Sequence, residues 1–552
     1  QATLLMIIMV SGILIQSFNG YFHFEIGLYL KILLGIRWVE FIIWAGLAIA
    51  VQTFFKNYIV AFFLLLVFFL FRNTISKLGI EQPVFFFDRL PAINYSDMDG
   101  FGGGVLRYFA YAFYWLLLIG FLGGLTLLFW RRGIFSSIKE RFYFASKKWK
   151  LSVAIPTILS LVGFLILGGY LYYENKILNT FHSAKETEEL GVNYEKKFKR
   201  FENLTLPRIT DIKVDVDLFP EKRNFEIRGQ YILENKNNLP IDSILVSYQA
   251  DYINDIRIDG ADLISRDTVF GISFFRMKQP MDSGGTTLMK FIVKNKPNTF
   301  LRINSPILGN GTFINNSTFP QLGYDANMEF TDNDLRKKYG LPPKERMAEQ
   351  TDKKALRNNY ISNDADWITF ETTVSTSKDQ IAVAPGYLQK EWTKGDRRFF
   401  QYKMDRPMLN FFAYNSARYE VRRDKWKDVN IEVYYHKAHQ YNLDRMINSV
   451  KKSLDYYTKE YSPYQYKQVR IIEFPGTIGT FAQSFANTIP YSEGIGFIAD
   501  VDDRKKDAVD YPFSVTAHEV AHQWWAHQVI SANVQGATML SESLSEYSSL
   551  KV

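Results

Sequence analysis

Five apolar stretches crowd the first 173 residues, near 3–18, 34–55, 57–72, 106–130 and 151–173, and they constrain the fold more than any other feature. Each approaches or meets the roughly twenty apolar residues that a helix needs to cross a bilayer. They are rich in Phe, Leu and Ile and nearly free of charge, unlike the buried helices of a soluble core. Residues 174–552 carry charges throughout and have ordinary soluble composition. The expected chain therefore has two phases, an apolar helical segment and a multi-domain soluble portion. The first stretch begins at Gln1 without an initiator Met or a charged leader, so it does not read as a signal peptide. The protein is expected to begin before Gln1.

Basic residues predict the orientation. Arg131, Arg132, Lys139, Arg141, Lys147, Lys148 and Lys150 lie between the fourth and fifth stretches, which makes that connection cytoplasmic. Its pattern, Phe135-Ser-Ser-Ile-Lys-Glu-Arg-Phe-Tyr-Phe, suits an amphipathic helix over 135–148 lying on the inner surface. Counting back, the loop 73–105 with Asp88, Asp97 and Asp99 falls outside. Counting forward, everything after about Tyr173 does too. Arg37 and Glu40, three residues apart on one helix face, read as a pair snorkelling to the interface. A lipid bilayer is the first expected partner.

The formal charge of +8 comes from scattered residues, with no basic domain and no nucleic-acid motif, so no nucleic-acid partner is expected. The absence of cysteine excludes disulfides, thiolate metal sites and a cysteine nucleophile.

Residues 174–204 are polar and form a linker or stalk. From Leu206 the period changes to two. Ile209-Thr-Asp-Ile-Lys-Val-Asp-Val-Asp-Leu and Phe225-Glu-Ile-Arg-Gly-Gln-Tyr-Ile-Leu alternate apolar and polar residues around a turn at Pro220, which predicts half-buried antiparallel strands. Similar strands recur to about Val421, so 205–425 is expected to be a β-sandwich-rich domain. Sequons at Asn203, Asn310, Asn315 and Asn316 fall in Asn-rich surroundings and read as coincidence. Residues 426–552 mix strands with helices. Leu443, Ile447, Val450, Leu454 and Tyr457 mark one helix, while His436 and His439 read as surface residues.

The chemistry is concentrated in Thr516-Ala517-His518-Glu519-Val520-Ala521-His522-Gln523-Trp524-Trp525. On a helix, positions i and i+4 share a face, so two imidazoles at 518 and 522 can grip one metal ion. Glu519 is placed to take a proton from water activated by that metal. With seven histidines in the chain, this pattern would arise by chance in roughly one such sequence in two hundred. Trp524 and Trp525 read as core, and His527 as a helix-face histidine with a hydrogen bond. Two histidines do not complete a zinc site. Downstream, Met539-Leu-Ser-Glu-Ser-Leu-Ser-Glu-Tyr offers Glu542 and Glu546 as a third ligand.

Here the chain resembles the gluzincin aminopeptidases, relatives of aminopeptidase N. The resemblance rests on His518-Glu519-x-x-His522, on Gln523-Trp524-Trp525 and on Leu540-Ser541-Glu542, and it spans roughly 205–552. It implies Zn2+ as cofactor, Glu542 as third ligand, Glu519 as catalytic base and a peptide substrate. It also implies a β-sandwich N-terminal domain over 205–425 and a truncated α+β thermolysin-like domain over 426–552. The spacing departs from the family by one residue: nineteen, not eighteen, separate His522 from Glu542, and Gly536 is a place to absorb the surplus. Glu546 is the alternative ligand, or the residue that orients one.

Two further departures bear on specificity. The family's Gly-x-Met-Glu-Asn loop uses its glutamate to bind the substrate's α-amine. The corresponding Gly479-Thr-Phe-Ala-Gln-Ser-Phe-Ala-Asn487 has no acidic residue, and Gln483 and Asn487 offer only neutral oxygens. Gln483, Asn487 and Gln321, in Phe319-Pro-Gln-Leu-Gly-Tyr-Asp, are the candidate substrate contacts. The family's transition-state tyrosine is expected beyond Val552.

The helical segment, 1–173, lies outside that resemblance. With it the chain looks like bacterial inner-membrane proteins in which an ABC exporter-type permease is fused to such a peptidase, with the soluble domains on the extracytoplasmic side. Two readings follow: a membrane-anchored zinc metallopeptidase, or a permease subunit whose peptidase-like domain guides peptides without cutting them. In the second, a cytoplasmic ABC ATPase is the partner, since no nucleotide-binding loop lies in this chain.

Overall fold

The computed structural model describes residues 1–55, 57–72, 74, 79–130, 138–505 and 508–552. They form two compact units. One comprises Gln1–Ile93, Gly103–Glu188 and Thr299–Arg302, and the other Asn94–Gly102, Glu189–Asn298 and Ile303–Val552.

The first unit is helical. Apolar helices form at all five expected places, but three are long and apolar enough to cross a membrane: Ile26–Phe54, Gly104–Phe129 and Leu151–Leu178. Ala2–Phe18 and Tyr58–Phe71 have 17 and 14 residues. At a rise of 1.5 Å per residue they reach about 26 and about 21 Å, short of a hydrocarbon core of about 30 Å. Among the described residues, three helices have the full length of a crossing.

The second and third long helices meet along a seam of small residues. A Cβ added to Gly124 would lie 1.9 Å from Thr157 Oγ1, and one on Gly120 would lie 2.8 Å from Ser160 Oγ. Such close approach is how apolar helices gain packing energy where lipid removes the hydrophobic drive.

Two of the basic residues from the fourth-to-fifth connection cap helix ends. Arg141 donates to the carbonyls of Thr53 and Phe54 at 2.8 and 2.9 Å, and Lys148 to those of Leu128 and Trp130 at 3.2 and 2.8 Å. Cations satisfy the orphan carbonyls of a helix C-terminus and its negative dipole end. The expected surface helix over 135–148 is described as Ile138–Lys147. Residues 131–137, with Arg131 and Arg132, lie outside the described residues. Arg37 and Glu40 pair at 3.0 Å, three residues apart on one helix.

The second unit is rich in β-strands. Its largest sheet runs in the order Tyr387–Lys394, Arg397–Lys403, Ala365–Ser377, Arg208–Phe219, Asn224–Glu234, Thr286–Asn295, Tyr252–Ile258. The two alternating segments pair antiparallel, Val216 opposite Ile227. Their turn is closed by Arg223 at φ 46° after a short helical turn at Pro220–Lys222. A four-stranded sheet faces it, and Ile212, Val214, Val216, Ile227, Ile244, Val246 and Phe275 from the two sheets share one core. The alternation seen in the sequence is the alternation between that core and solvent.

A separate core belongs to the mixed sheet Tyr419–Trp426, Val429–His436, Gln468–Phe474, Thr488–Ser492. The first pair is antiparallel and the next two are parallel. The helix Leu443–Glu460 makes the crossover, burying Leu443, Ile447, Val450, Leu454 and Tyr457 as its period requires. The helix Tyr511–Ala521 packs on the same core through Val520 and Ala521, joined there by Trp524. Trp525 is partly buried beside it.

The expectation that His439 lies on the surface is overturned. It is 1 % exposed, because the chain turns inward after the strand end and places the ring between Glu473 and Asp97. Asn310 is also buried, its amide donating to the Met98 carbonyl at 2.8 Å, in keeping with a coincidental sequon there.

Candidate metal centre

The helix Tyr511–Ala521 starts where the sequence dictates. Asp510 accepts from the Phe513 N–H at 3.0 Å, and Pro512 occupies the first turn, where a missing N–H is harmless. Thr516 bonds back to the Pro512 carbonyl, and Tyr457 donates to the Ala517 carbonyl at 3.0 Å. The helix is thus fixed in rotation, with one face turned toward Met539–Ser543 and the helix Leu544–Ser549 that follows it.

On that face three donor atoms converge. His518 Nε2 and His522 Nε2 are 3.0 Å apart, and each is 3.5 Å from Glu542 Oε2. Ligands about 2.0–2.1 Å from a tetrahedral zinc stand about 3.3 Å from one another, which this triangle brackets. The outer nitrogens are engaged elsewhere. His518 Nδ1 meets Glu546 Oε2 at 3.1 Å, and His522 Nδ1 faces Ser545 Oγ at 3.0 Å and the Trp525 carbonyl at 3.3 Å. A carboxylate and a carbonyl only accept, so the ring protons belong on Nδ1 and the Nε2 lone pairs point at each other and at a carboxylate oxygen. Three lone pairs converging in this way suit a cation, and the donor set fits zinc.

Glu542 is exposed and sits in the π-helical turn Met539–Ser543. A π turn takes one residue more than an α turn, so the helix itself can house the surplus residue of the nineteen-residue spacer. Gly536, at φ 86°, makes the preceding bend. Its contacts with His518 and His522 hold the Glu542 carboxyl well below the usual range.

Glu519 points inward. It is 5 % exposed, its Oε2 has no hydrogen-bond partner among the described residues, and burial raises its carboxyl above the ordinary value. Its carboxylate lies next in the chain to His518 and close enough to both imidazoles for their charge to act on it.

The loop 479–487 is fastened along this helix. Ser484 donates to the Glu519 carbonyl at 2.9 Å, while Gln523 accepts from the Asn487 N–H and donates to the Phe485 carbonyl, both at 2.9 Å. Asn487 adopts φ 52°, a conformation Asn tolerates, and closes a tight turn between Phe485 and Thr488. Its side-chain oxygen already accepts from Arg470, Gln468 and Thr488, inside the protein. Gln483 is half-buried, with its backbone N–H on the Pro490 carbonyl. Gln321 stands on the short strand Gln321–Leu322, opposite Ser247. Neither is among the three residues whose donor atoms converge.

Ser484 and Ser545 were not readable as neighbours of the histidines from residue type alone. A signal existed for the serines of the last helix. Ser541, Ser545 and Ser548 recur at helical steps, and all three are buried, bonding Tyr360, His522 and Trp525 respectively. His527 is buried too, its Nε2–H donating to the Ser484 carbonyl at 3.1 Å, and burial pushes its ring down to about 4.

No family model matches the chain, and no curated protein matches it. Among solved structures it is similar to an M1 zinc metallopeptidase from Deinococcus radiodurans, at 12% identity over 62% of this chain and 71% of that one, with a TM-score of 0.41. A mutant of that enzyme bound to a Tyr-Ser-Ala substrate gives the same figures. At that level of likeness, the chemistry rests on the side chains themselves.

Proposed function

We propose that the chain is a membrane-anchored zinc metallopeptidase that hydrolyses peptides on the extracytoplasmic side. The observation that carries this is the convergence of His518 Nε2, His522 Nε2 and Glu542 Oε2 beside the unpartnered Glu519 Oε2. In this reading 1–173 is the helical anchor, 174–204 the stalk, 205–425 the sandwich domain and 426–552 the start of the catalytic domain. The three long apolar helices and the basic residues Lys139, Arg141, Lys147, Lys148 and Lys150 support the anchor and its orientation.

His518, His522 and Glu542 would hold the zinc, with Glu546 and Ser545 fixing the two rings. Zinc there supplies Lewis acidity toward the scissile carbonyl and the attacking water. Glu519 takes the proton from that water and hands it to the leaving amine. The loop 479–487 offers no carboxylate for an α-amine, so strict aminopeptidase specificity is not part of this reading. Coupling to an ABC-type permease, with a cytoplasmic ATPase, is the natural extension of an anchored arrangement and would use the cytoplasmic helix.

The test is Glu519→Gln in the full chain. Hydrolysis should fall by about 10²–10⁴-fold with the metal content unchanged. Undiminished hydrolysis would overturn the mechanism. Peptide binding without hydrolysis in the unmutated protein would favour the peptide-guiding role instead.

A further inference from the structure

A second group of metal-ligating side chains lies in the same unit, outside the proposed reaction. His439, Glu473 and Glu493 are 1, 0 and 4 % exposed, and each offers a ligand atom within 4.8 Å of the other two. They come from three places: the turn after the strand Val429–His436, the strand Gln468–Phe474, and the π turn Glu493–Phe497. The segment Asn94–Gly102 adds Asp97 and Ser96.

The arrangement repeats the logic of the first site. His439 Nε2 lies 3.1 Å from Asp97 Oδ2, a pure acceptor, so the ring proton belongs there. His439 Nδ1 is in close contact with Glu473 Oε1, also an acceptor, so with no ion bound the ring carries a second proton there and pairs with both carboxylates, and a cation would take the place of that proton. Glu473 Oε2 accepts from the His436 N–H. Glu493 is aimed by the Gly476 N–H on Oε1 at 2.9 Å and by Ser96 Oγ on Oε2 at 3.0 Å. Next to the cluster, the His436 ring packs edge-on to His439 at 4.8 Å, and its Nδ1 is buried with no hydrogen-bond partner among the described residues.

Charge makes the case stronger. Three carboxylates gather at one imidazole: His439 pairs with Asp97 and Glu473, and among the described residues no Lys or Arg joins them. Glu493 is held by neutral donors alone, the Gly476 N–H and Ser96 Oγ. Two buried glutamates against a single imidazole leave negative charge that a divalent ion would offset. One imidazole with carboxylate oxygens is a donor set for divalent transition ions, and a carboxylate on the far ring nitrogen is the usual orienting partner of a metal-bound histidine.

We propose that His439, Glu473 and Glu493 form a second divalent-cation site, of the zinc or manganese class, with Asp97 orienting the histidine. The ion would staple the ends of two adjacent strands, the π turn and the segment Asn94–Gly102. That segment is also held by Asp99 on Arg223 at 3.0 Å and by Met98 packed against Tyr419, Tyr434 and Ile472. The role is structural: the groups that bond these side chains come from Asp97, Ser96, His436 and Gly476, and none of them belongs to the first site.

Metal content of the purified full chain, measured after incubation with Zn2+ or Mn2+ and removal of free ions, tests this directly. The unmutated protein should hold two equivalents. The double variant His518→Ala/His522→Ala should keep one, and Mn2+ bound to it should give the spin-resonance signal of a fixed site. Glu473→Gln/Glu493→Gln should lose that equivalent and keep the other. A His518→Ala/His522→Ala protein that binds neither ion would overturn the proposal, even if the glutamine variant fails to fold. Loss of hydrolysis with this second equivalent retained would bear on the first site alone.

Discussion

Glu546 Oε2 lies 3.1 Å from His518 Nδ1, while Nε2 of the same ring faces His522 and Glu542. The carboxylate one turn beyond Glu542 is thereby the partner that sets the tautomer and angle of the His518 ring. Glu546→Ala should weaken metal binding by about 10–100-fold without abolishing it, the usual cost of losing such a partner. Competition with a chromophoric chelator measures this. Glu542→Ala should cost more than Glu546→Ala, and the reverse order would exchange their roles.

Gln523 ties the loop 479–487 to the helix that bears the histidines, through Ser484, the Phe485 carbonyl and the Asn487 N–H. Gln523→Ala leaves the Asn487 N–H buried without its partner, while the Phe485 carbonyl keeps the Thr488 N–H at 3.1 Å. One such group costs about 1–3 kcal/mol, which is the loss expected in thermal or denaturant unfolding.

Arg336 and Glu195 are buried together, with two guanidinium contacts at 2.7 and 2.8 Å. Arg336→Met should destabilise the unit by about 3–5 kcal/mol, because the glutamate is left buried and unpaired. Adding Glu195→Leu should recover most of the loss, as measured by denaturant midpoints of the single and double variants.

Gly124 faces Thr157 so closely that any side chain must push the two helices apart, whereas its neighbour Gly123 has open space at the same position. Gly124→Leu should lower the thermal unfolding midpoint in detergent, by the equivalent of about 1–3 kcal/mol or more. Gly123→Leu should leave it nearly unchanged.

Removal of the metal should lower the melting temperature of the full chain, and restoring Zn2+ should raise it in a concentration-dependent way, since an ion that binds only the folded state stabilises it by mass action. Scanning calorimetry before and after chelation gives the answer; a melting temperature indifferent to chelator would contradict both sites.

Local chemistry made much of this legible. The period-two alternation at 209–218 and 225–233 is imposed by a two-sided sheet, and the steps of three and four from Leu443 to Tyr457 by a helix on a core. His518, Glu519 and His522 are close in the chain, so helix geometry alone sets their relation. Apolar length placed the helices of the first unit, yet the two short ones looked alike in composition and differ only in reach.

What the sequence by itself determined was whatever a few consecutive residues control: the helices, the alternating strands, the pair of histidines and the glutamate between them. Tertiary structure alone decided the rest, because it depends on residues distant in the chain. It brought Glu542 to the two imidazoles and gave Glu546 the outer nitrogen of His518, a choice between carboxylates that spacing left open. It turned His439 from an apparent surface residue into the centre of a buried carboxylate cluster, by bringing Asp97 to it from 342 residues away in the chain. No periodicity records a contact of that kind; it exists only once burial has removed water and left the charges to find one another.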